Sequence, residues 1–325
     1  MMRIMNNSIE QIREALEKAE SVIIAAHTNP DGDAIGSVLA FSNALNNMGK
    51  KVYALLEDYA EKYNFVPGKE FVYTGNYDDL TADVFLSLDC GDTMRLKNAE
   101  GFVNKIYTIN VDHHVTNEYF GNLNYVDPDA SSTSEIVYRI LNGWYNMDKN
   151  TAICIYVGIV NDTGGFRFTN TSPATMSVVS ELMTYNFNFS DVYNRIYHSR
   201  TFKEVKIMGE ALQNTELLCD GKFVISHVSM DTIKKYGGTI RDVQGVSEYL
   251  KGITGTEVSI LLYEKGDNEV KGSLRSEDSF DVAELSQKFG GGGHKKSAGC
   301  TFKTSLEEAV SIMKNEVISR FKKGE

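Results

Sequence analysis

Cysteine is scarce and scattered in this chain of 325 residues: four, at positions 90, 154, 219 and 300, with no Cys-x-x-Cys pair. That spacing fits free thiols and offers no framework for disulfides or a zinc knuckle. Also missing is any apolar run approaching the roughly 20 residues needed to cross a bilayer, so no membrane partner is expected. The first ten residues are polar and lack the apolar segment of a signal peptide, which makes the cytoplasm the expected compartment. Repeats and low-complexity tracts are absent apart from Gly290–Gly293. Positive charge is in short supply too: 44 acidic residues against 33 basic ones give a net charge of −11. A protein that holds long duplex DNA usually presents a basic face whose cations displace phosphate counterions. The chain as a whole lacks that excess, which leaves open a local basic pocket for a short anionic ligand.

What is present suffices for a real core. Apolar residues make up 42% and charged residues 24%, and a chain of this length is expected to form two domains of ordinary size. Ile9, Ile12, Leu16 and Ala19 follow a helical period, with Ser8 as N-cap. Ser21–Ala26 reads as a buried strand, Ala34–Met48 as a helix stopped by Gly49, and Lys51–Leu56 as a strand. That order is a βαβ unit, which implies a parallel sheet with a right-handed crossover. Asp83–Leu88 and Ile106–Val111 are further strands, with a short helix near Lys97–Val103 between them. Helices follow from Ser132 to about Tyr145, across the apolar Thr151–Val160, and over Pro173–Tyr185. Residues 186–201 turn polar and aromatic, helical in part over Asp191–His198. Beyond them, strands at Phe223–Val228, Glu257–Glu264 and Glu269–Arg275 mix with helices at Phe202–Thr215, Asp242–Leu250, Asp281–Phe289 and Leu306–Lys322. The expected organisation is α/β throughout: a parallel-sheet domain over 1–187, a connector over 188–204 and a smaller α/β domain over 205–325.

The strand ends carry the chemistry. Ser21–Ala26 runs into His27-Thr28-Asn29-Pro30-Asp31-Gly32-Asp33, Asp83–Leu88 into Asp89, and Ile106–Val111 into Asp112-His113-His114. In open parallel sheets ligands bind outside the carboxyl ends of the strands, so these ends meet at one edge. Asp162 follows the apolar stretch that ends at Val160. Singly, each residue has an ordinary reading: Asp33 as a cap for the helix from Ala34, Asp162 as a helix end, His27 as a packed histidine. Together, carboxylates with some imidazole are the donor mix of Mn²⁺ or Mg²⁺. So many acids repel one another without cations, which argues for two ions. Two ions about 3.5–4 Å apart can generate a hydroxide and clamp a phosphoryl group. The cluster Ser131–Ser134 has two readings: a capping box of Ser132 with Glu135, or a helix N-terminus lending amides to an anion.

His27-x-x-x-Asp31-x-Asp33, Asp89, Asp112-His113-His114 and Asn161-Asp162-Thr163-Gly164-Gly165-Phe166, in that order, resemble the four-motif signature of the DHH phosphoesterase superfamily. The resemblance spans the whole first domain and implies roles by position. His27 and Asp31 would hold a first metal, Asp33, His113 and Asp162 a second, and Asp89 would bridge them. Asp112 would orient an imidazole from behind, and His114 would face the scissile phosphate. One departure stands out: Asn161 occupies a place where threonine is the commoner residue in such proteins. Cys90, beside Asp89, reads as packed core.

In the second domain, Phe289-Gly290-Gly291-Gly292-Gly293-His294-Lys295-Lys296-Ser297-Ala298-Gly299 combines glycines, which let amides approach an anion, with donors at His294, Lys295 and Ser297. The run is similar to the substrate-binding motif of the DHH-associated domain, which implies binding through Gly291, Gly292, Gly293, His294 and Ser297. Gly272-Ser273-Leu274-Arg275-Ser276 looks like a strand of that domain, with Arg275 placed to grip a phosphate bidentately. Lys295 and Lys296 read equally well as ordinary surface lysines. The architecture implies an active-site cleft between the domains that measures short substrates from one end. It is similar to the branch of the superfamily that degrades short oligoribonucleotides and removes the 3′-phosphate of adenosine 3′,5′-bisphosphate (pAp). Hydrolysis of linear or cyclic dinucleotides (pApA, cyclic di-AMP) and a catalytically silent nucleotide-binding protein are the alternatives. The family's single-strand DNA exonucleases are larger, and its pyrophosphatases are not expected to carry the glycine cradle. Short RNA, pAp or dinucleotides are the expected partners, and a homodimer is compatible with the reading.

Overall fold

The computed structural model describes residues 6–243, 245–277 and 279–323. The polar start at residues 1–5, and Gln244 within the helix expected over Asp242–Leu250, lie outside the described residues. The chain divides into two compact units, Met1–Ser199 and Arg200–Glu325.

The first unit runs α1 (Ile9–Lys18), β1 (Ser21–Ala25), α2 (Gly32–Asn47), β2 (Lys51–Leu55), β3 (Val84–Leu88), β4 (Tyr107–Asp112), β5 (Leu123–Val126), α3 (Thr133–Leu141), α4 (Lys149–Asp162), α5 (Pro173–Leu182) and α6 (Phe189–Tyr197). Its five strands are parallel, in the order β2-β1-β3-β4-β5, one of the two common doubly wound orders. Because that order reverses between β1 and β3, a crevice opens at their carboxyl ends. The sequence Val-Phe-Leu-Ser-Leu leaves β3 buried along its whole length, as a parallel strand covered on both faces must be. Ile24 and Leu86 pack to one side, with Leu39, Phe41 and Ile155, while Ile23 and Phe85 pack to the other with Phe102.

Two glycines let α2, α3 and α4 converge. A Cβ on Gly36 would stand 2.5 Å from the Cys154 carbonyl oxygen and 2.9 Å from the Gly158 nitrogen. One on Gly158 would collide with the Ser134 hydroxyl and stand 2.6 Å from Asp33 Oδ1. The short helix expected near Lys97–Val103 is instead a 3₁₀ stretch over Thr93–Phe102, interrupted at Lys97. Its buried residues, Leu96, Ala99 and Phe102, recur every third position, which matches three residues per turn.

The second unit runs α7 (Phe202–Gln213), β6 (Glu216–Leu218), β7 (Phe223–Val228), α8 (Met230–Lys235), α9 (Val246–Lys251), β8 (Val258–Gly266), β9 (Glu269–Ser276), α10 (Val282–Gln287), β10 (Gly292–His294), β11 (Ser297–Phe302) and α11 (Leu306–Lys323). Its mixed sheet has the order β10-β11-β9-β8-β7-β6, with β7 and β8 parallel. Alternation along the strands feeds two cores: Phe223, Ile225, Ile260 and Leu262 on one face, Val224, Val228, Leu261 and Tyr263 on the other. Among the described residues no helix is long and apolar enough to cross a membrane.

Candidate metal centre

All eight acids and histidines singled out in the first unit converge at the carboxyl ends of its strands. His27 follows β1, Asp89 follows β3, Asp112 ends β4 with His113 and His114 directly after it, Asp31 and Asp33 flank the start of α2, and Asp162 ends α4. His27 Nε2 lies 3.5 Å from Asp89 Oδ2 and 4.0 Å from Asp31 Oδ1. The other Asp89 oxygen lies 3.6 Å from His113 Nε2, which is itself 3.2 Å from Asp162 Oδ2. Donor atoms of His27, Asp31 and Asp89 form one group within 4.8 Å of one another, those of Asp33, His113 and Asp162 a second, and those of Asp89, His113 and His114 a third that overlaps both. Asp89 faces both histidines, one with each oxygen. Its backbone is left-handed, φ 53°, a conformation that costs a non-glycine residue on the order of 1 kcal/mol or more and is concentrated at functional sites.

The supports around these side chains refine the sequence reading. Asp31, not Asp33, caps α2: its Oδ1 accepts from the Asp33 and Ala34 amides at 2.9 and 3.1 Å. Asp33 instead takes the amides of the next helix, with Thr133 donating to Oδ2 at 2.7 Å and Ser134 to Oδ1 at 2.9 Å. The N-terminus of α3 is thus spent on the protein's own carboxylate, which settles the two readings of the serine cluster against an external anion. Ser132 does cap that helix through the Glu135 amide, but the Glu135 carboxylate turns to the amide and hydroxyl of Ser131 and to the Thr175 hydroxyl.

Asp112 is fully buried. One oxygen meets His114 Nδ1 at 2.7 Å and the His113 amide at 2.8 Å, while Asn117 donates to the other at 2.6 Å. Asn117 also donates to Asn110, whose amide group reaches the Cys90 carbonyl. No signal in the sequence singled out either asparagine; an amide has no period and no motif of its own. Cys90 is core: its thiol donates to the Asp92 carbonyl, and burial pushes it up to about 12.

The charges are unbalanced without cations. Burial, then repulsion from Asp89 and Asp162, raises Asp33 well above the usual carboxylate range; Asp31 is raised too, more modestly, since its side chain is about half exposed. Asp89 is lowered despite its burial because His27 donates to it and adds positive charge. Burial works against the charged form of His113, yet its bond to Asp162 and the surrounding carboxylates push it up to about 10. Divalent ions satisfy the same demand for positive charge. Neighbouring donors bonded to one ion at about 2.1 Å stand roughly 3.0–3.4 Å apart, close to the 3.2–3.6 Å spacings of His113 with Asp162 and Asp89 and of His27 with Asp89. This oxygen-rich, thiol-free donor set fits hard-to-borderline divalent ions.

In the second unit, a pocket of about 410 Å³ is lined by Arg275, Gly292, Gly293 and Ser297 together with Ser247, Tyr263, Lys271 and Ser273. Arg275 and Ser297 are register partners on β9 and β11. Among the described residues no carboxylate pairs with Arg275. Gly293 has φ 146°, and a Cβ there would stand 2.5 Å from the Ser297 carbonyl oxygen, so the β10–β11 hairpin requires glycine. Gly291 and His294 do not line this pocket. A Cβ on Gly291 would run into the Gly299 carbonyl, and His294 is exposed on β10 opposite Ser297. Lys271, Ser273 and Tyr263 were missed because they alternate along ordinary strands.

Residues 21–159 match the DHH family, N-terminal domain, and residues 220–323 match the DHHA1 domain. The chain is 33% identical over 300 residues to the bifunctional oligoribonuclease and PAP phosphatase NrnA of Thermus thermophilus, covering 90% of this chain and 87% of that protein. It is 29% identical over 307 residues to the Bacillus subtilis protein of the same name, covering 90% and 93%. Among solved structures, an exopolyphosphatase-related protein from Bacteroides fragilis matches with a TM-score of 0.87 at 27% identity, over 96% of each chain.

Proposed function

From the premise that this chain belongs to the DHH family of phosphoesterases and carries a DHHA1 domain, we propose that it hydrolyses short oligoribonucleotides to mononucleotides and dephosphorylates pAp to AMP. The observation that carries this reading is the convergence of His27, Asp31, Asp33, Asp89, His113 and Asp162 into two donor groups that share Asp89's neighbourhood. The names of the Thermus and Bacillus relatives support the substrate class. The net charge of −11 supports short substrates over long nucleic acid.

Two divalent ions, Mn²⁺ first and Mg²⁺ second, would supply a hydroxide nucleophile and neutralise the phosphoryl charge. In this reading His27 and Asp31 would hold one ion and Asp33, His113 and Asp162 the other, with Asp89 within reach of both. Asp112 engages Nδ1 of His114, which leaves Nε2 to serve the scissile phosphate as electrophile or proton donor. Asn117 keeps the Asp112 carboxylate in place. In the second unit Arg275, Ser297 and the amides of Gly292 and Gly293 bind the anionic part of the nucleotide. Gly291 shapes the hairpin, and His294, exposed on β10 outside the pocket lining, is left out of this contact set.

The test is a hydrolysis panel in Mn²⁺: pAp, pApA, cyclic di-AMP, an RNA pentamer and long single-stranded DNA, each with the native protein and with Asp89→Ala. Fast turnover of the pentamer and pAp, abolished by D89A, is expected. A preference for long DNA overturns the substrate class. Hydrolysis confined to pApA or cyclic di-AMP replaces the reading with a dinucleotide phosphodiesterase, and undiminished activity in D89A removes the two-ion centre.

A further inference from the structure

Asn161, the residue that departs from the expected threonine, is half-buried one position before Asp162 at the end of α4. Its side chain lies against the backbone between Asp31 and Asp33: a Cβ on Gly32 would stand 2.6 Å from Asn161 Cβ, 2.7 Å from its Cγ and 2.8 Å from its Oδ1. That same Oδ1 accepts a 2.6 Å hydrogen bond from the Tyr63 hydroxyl. Tyr63 comes from the 3₁₀ turn Glu61–Tyr63 in the long connection from β2 to β3, and it is only 3% exposed. A buried phenol requires a partner for its hydroxyl, and here that partner touches one proposed ligand turn and adjoins another.

We propose that Tyr63 and Asn161 are positioning residues: a side-chain clasp that fixes the Asp31-Gly32-Asp33 turn relative to Asp162 and thereby sets the affinity for the second ion. The proposal deepens the two-ion reading and rests on it. Asp33 is held independently by the α3 amides. Asp162 is not: among the described residues its carboxylate has one partner, His113. Its position therefore depends on where the last turn of α4 lies, and the clasp locates that turn against the loop that carries Asp33. Glycine at 32 leaves the space that Asn161 fills. Threonine at 161 would place its hydroxyl one bond closer to the backbone than Oδ1, leaving the Tyr63 hydroxyl without its acceptor.

A control is built into the fold. The Tyr197 hydroxyl donates to the Val160 and Asn161 carbonyls at 2.8 and 3.2 Å, so it steadies the same turn through the backbone and not through the asparagine side chain. Metal-stripped native protein, Tyr63→Phe, Asn161→Thr and Tyr197→Phe are titrated with Mn²⁺ by calorimetry and by electron paramagnetic resonance, which separates a spin-coupled pair from isolated ions. Y63F and N161T are expected to keep the first binding event within about twofold and to weaken the second about tenfold. The coupled signal is then lost at Mn²⁺ levels that saturate the native protein, and kcat returns with excess Mn²⁺ at unchanged KM. Native-like second-site binding in both variants overturns the clasp. An equal loss in Y197F also overturns it, by assigning the effect to a loosened helix end. A native protein that never forms a coupled pair defeats the two-ion reading itself, a separate outcome.

Discussion

The Asp31 carboxylate caps α2 and also faces His27, so substitution separates its structural duty from its electrostatic one. Asparagine caps a helix as well as aspartate does. Desolvation, then the charges of Asp89 and Asp162, raises Asp31 in the folded protein, though solvent screens much of this because the side chain is about half exposed. Its unfolded counterpart ionises at lower pH, so the stability it contributes is full below the ordinary carboxylate value and falls as pH rises through the raised one. Asp31→Asn removes that loss. In chelator, the variant is expected to melt at or above the native temperature at pH 7, with the difference shrinking toward pH 4, while Mn²⁺-dependent hydrolysis drops at least about 100-fold. Scanning calorimetry across pH decides; a variant several degrees less stable at pH 7 would show that attraction to His27 outweighs the repulsion. The residues that converge at these strand ends were legible because acids and histidines directly after apolar strands are costly and conspicuous. Asn110, Asn117 and Tyr63 were not. Their work is to hold other side chains, and it exists only once distant segments meet.

Helix packing decides whether the donors meet at all. Asp33 sits in the first turn of α2 and Asp162 in the last turn of α4, and Gly36 and Gly158 set how closely those helices approach. A methyl on Gly36 meets backbone atoms, which cannot rotate away. Gly36→Ala is expected to cost about 2–3 kcal/mol, read as a lower urea midpoint at unchanged slope, together with weaker Mn²⁺ binding. Wild-type stability in G36A would mean the helices have slack. Most strands and the long helices of both units were readable from apolar runs and period, while the short β6 was not. The 3₁₀ turns between β2 and β3 were not, since three-residue pieces leave no pattern, and β10 was hidden because glycine carries no strand propensity.

Each unit has cores of its own, and the donor groups all belong to the first. Ligand binding stabilises the part that binds it, by about 2.7 kcal/mol at a hundredfold excess over Kd. Adding Mn²⁺ to metal-stripped protein is therefore expected to raise the melting of residues 1–199 by several degrees and to leave the second unit's transition in place. Calorimetry with and without chelator reads this directly; an equal shift of both transitions would contradict an effect confined to the unit that carries the donor groups. The two-unit, mixed α/β plan was visible in the sequence. The alternating lining of the second unit's pocket was not, because it forms only when β9, β10 and β11 pair.

The first unit's sheet is wholly parallel, and its chemistry is spread from residue 27 to residue 162, with Asp33 tied to amides 100 and 101 positions later. Such non-local pairings form late and slowly. During synthesis the early carboxylates emerge long before the helix whose amides bond Asp33 or the aspartate that completes the second donor group. A product ending short of residue 162 would carry the early acids without the last member of the second donor group. Assembly of the two donor groups is thus tied to completion of this unit during translation.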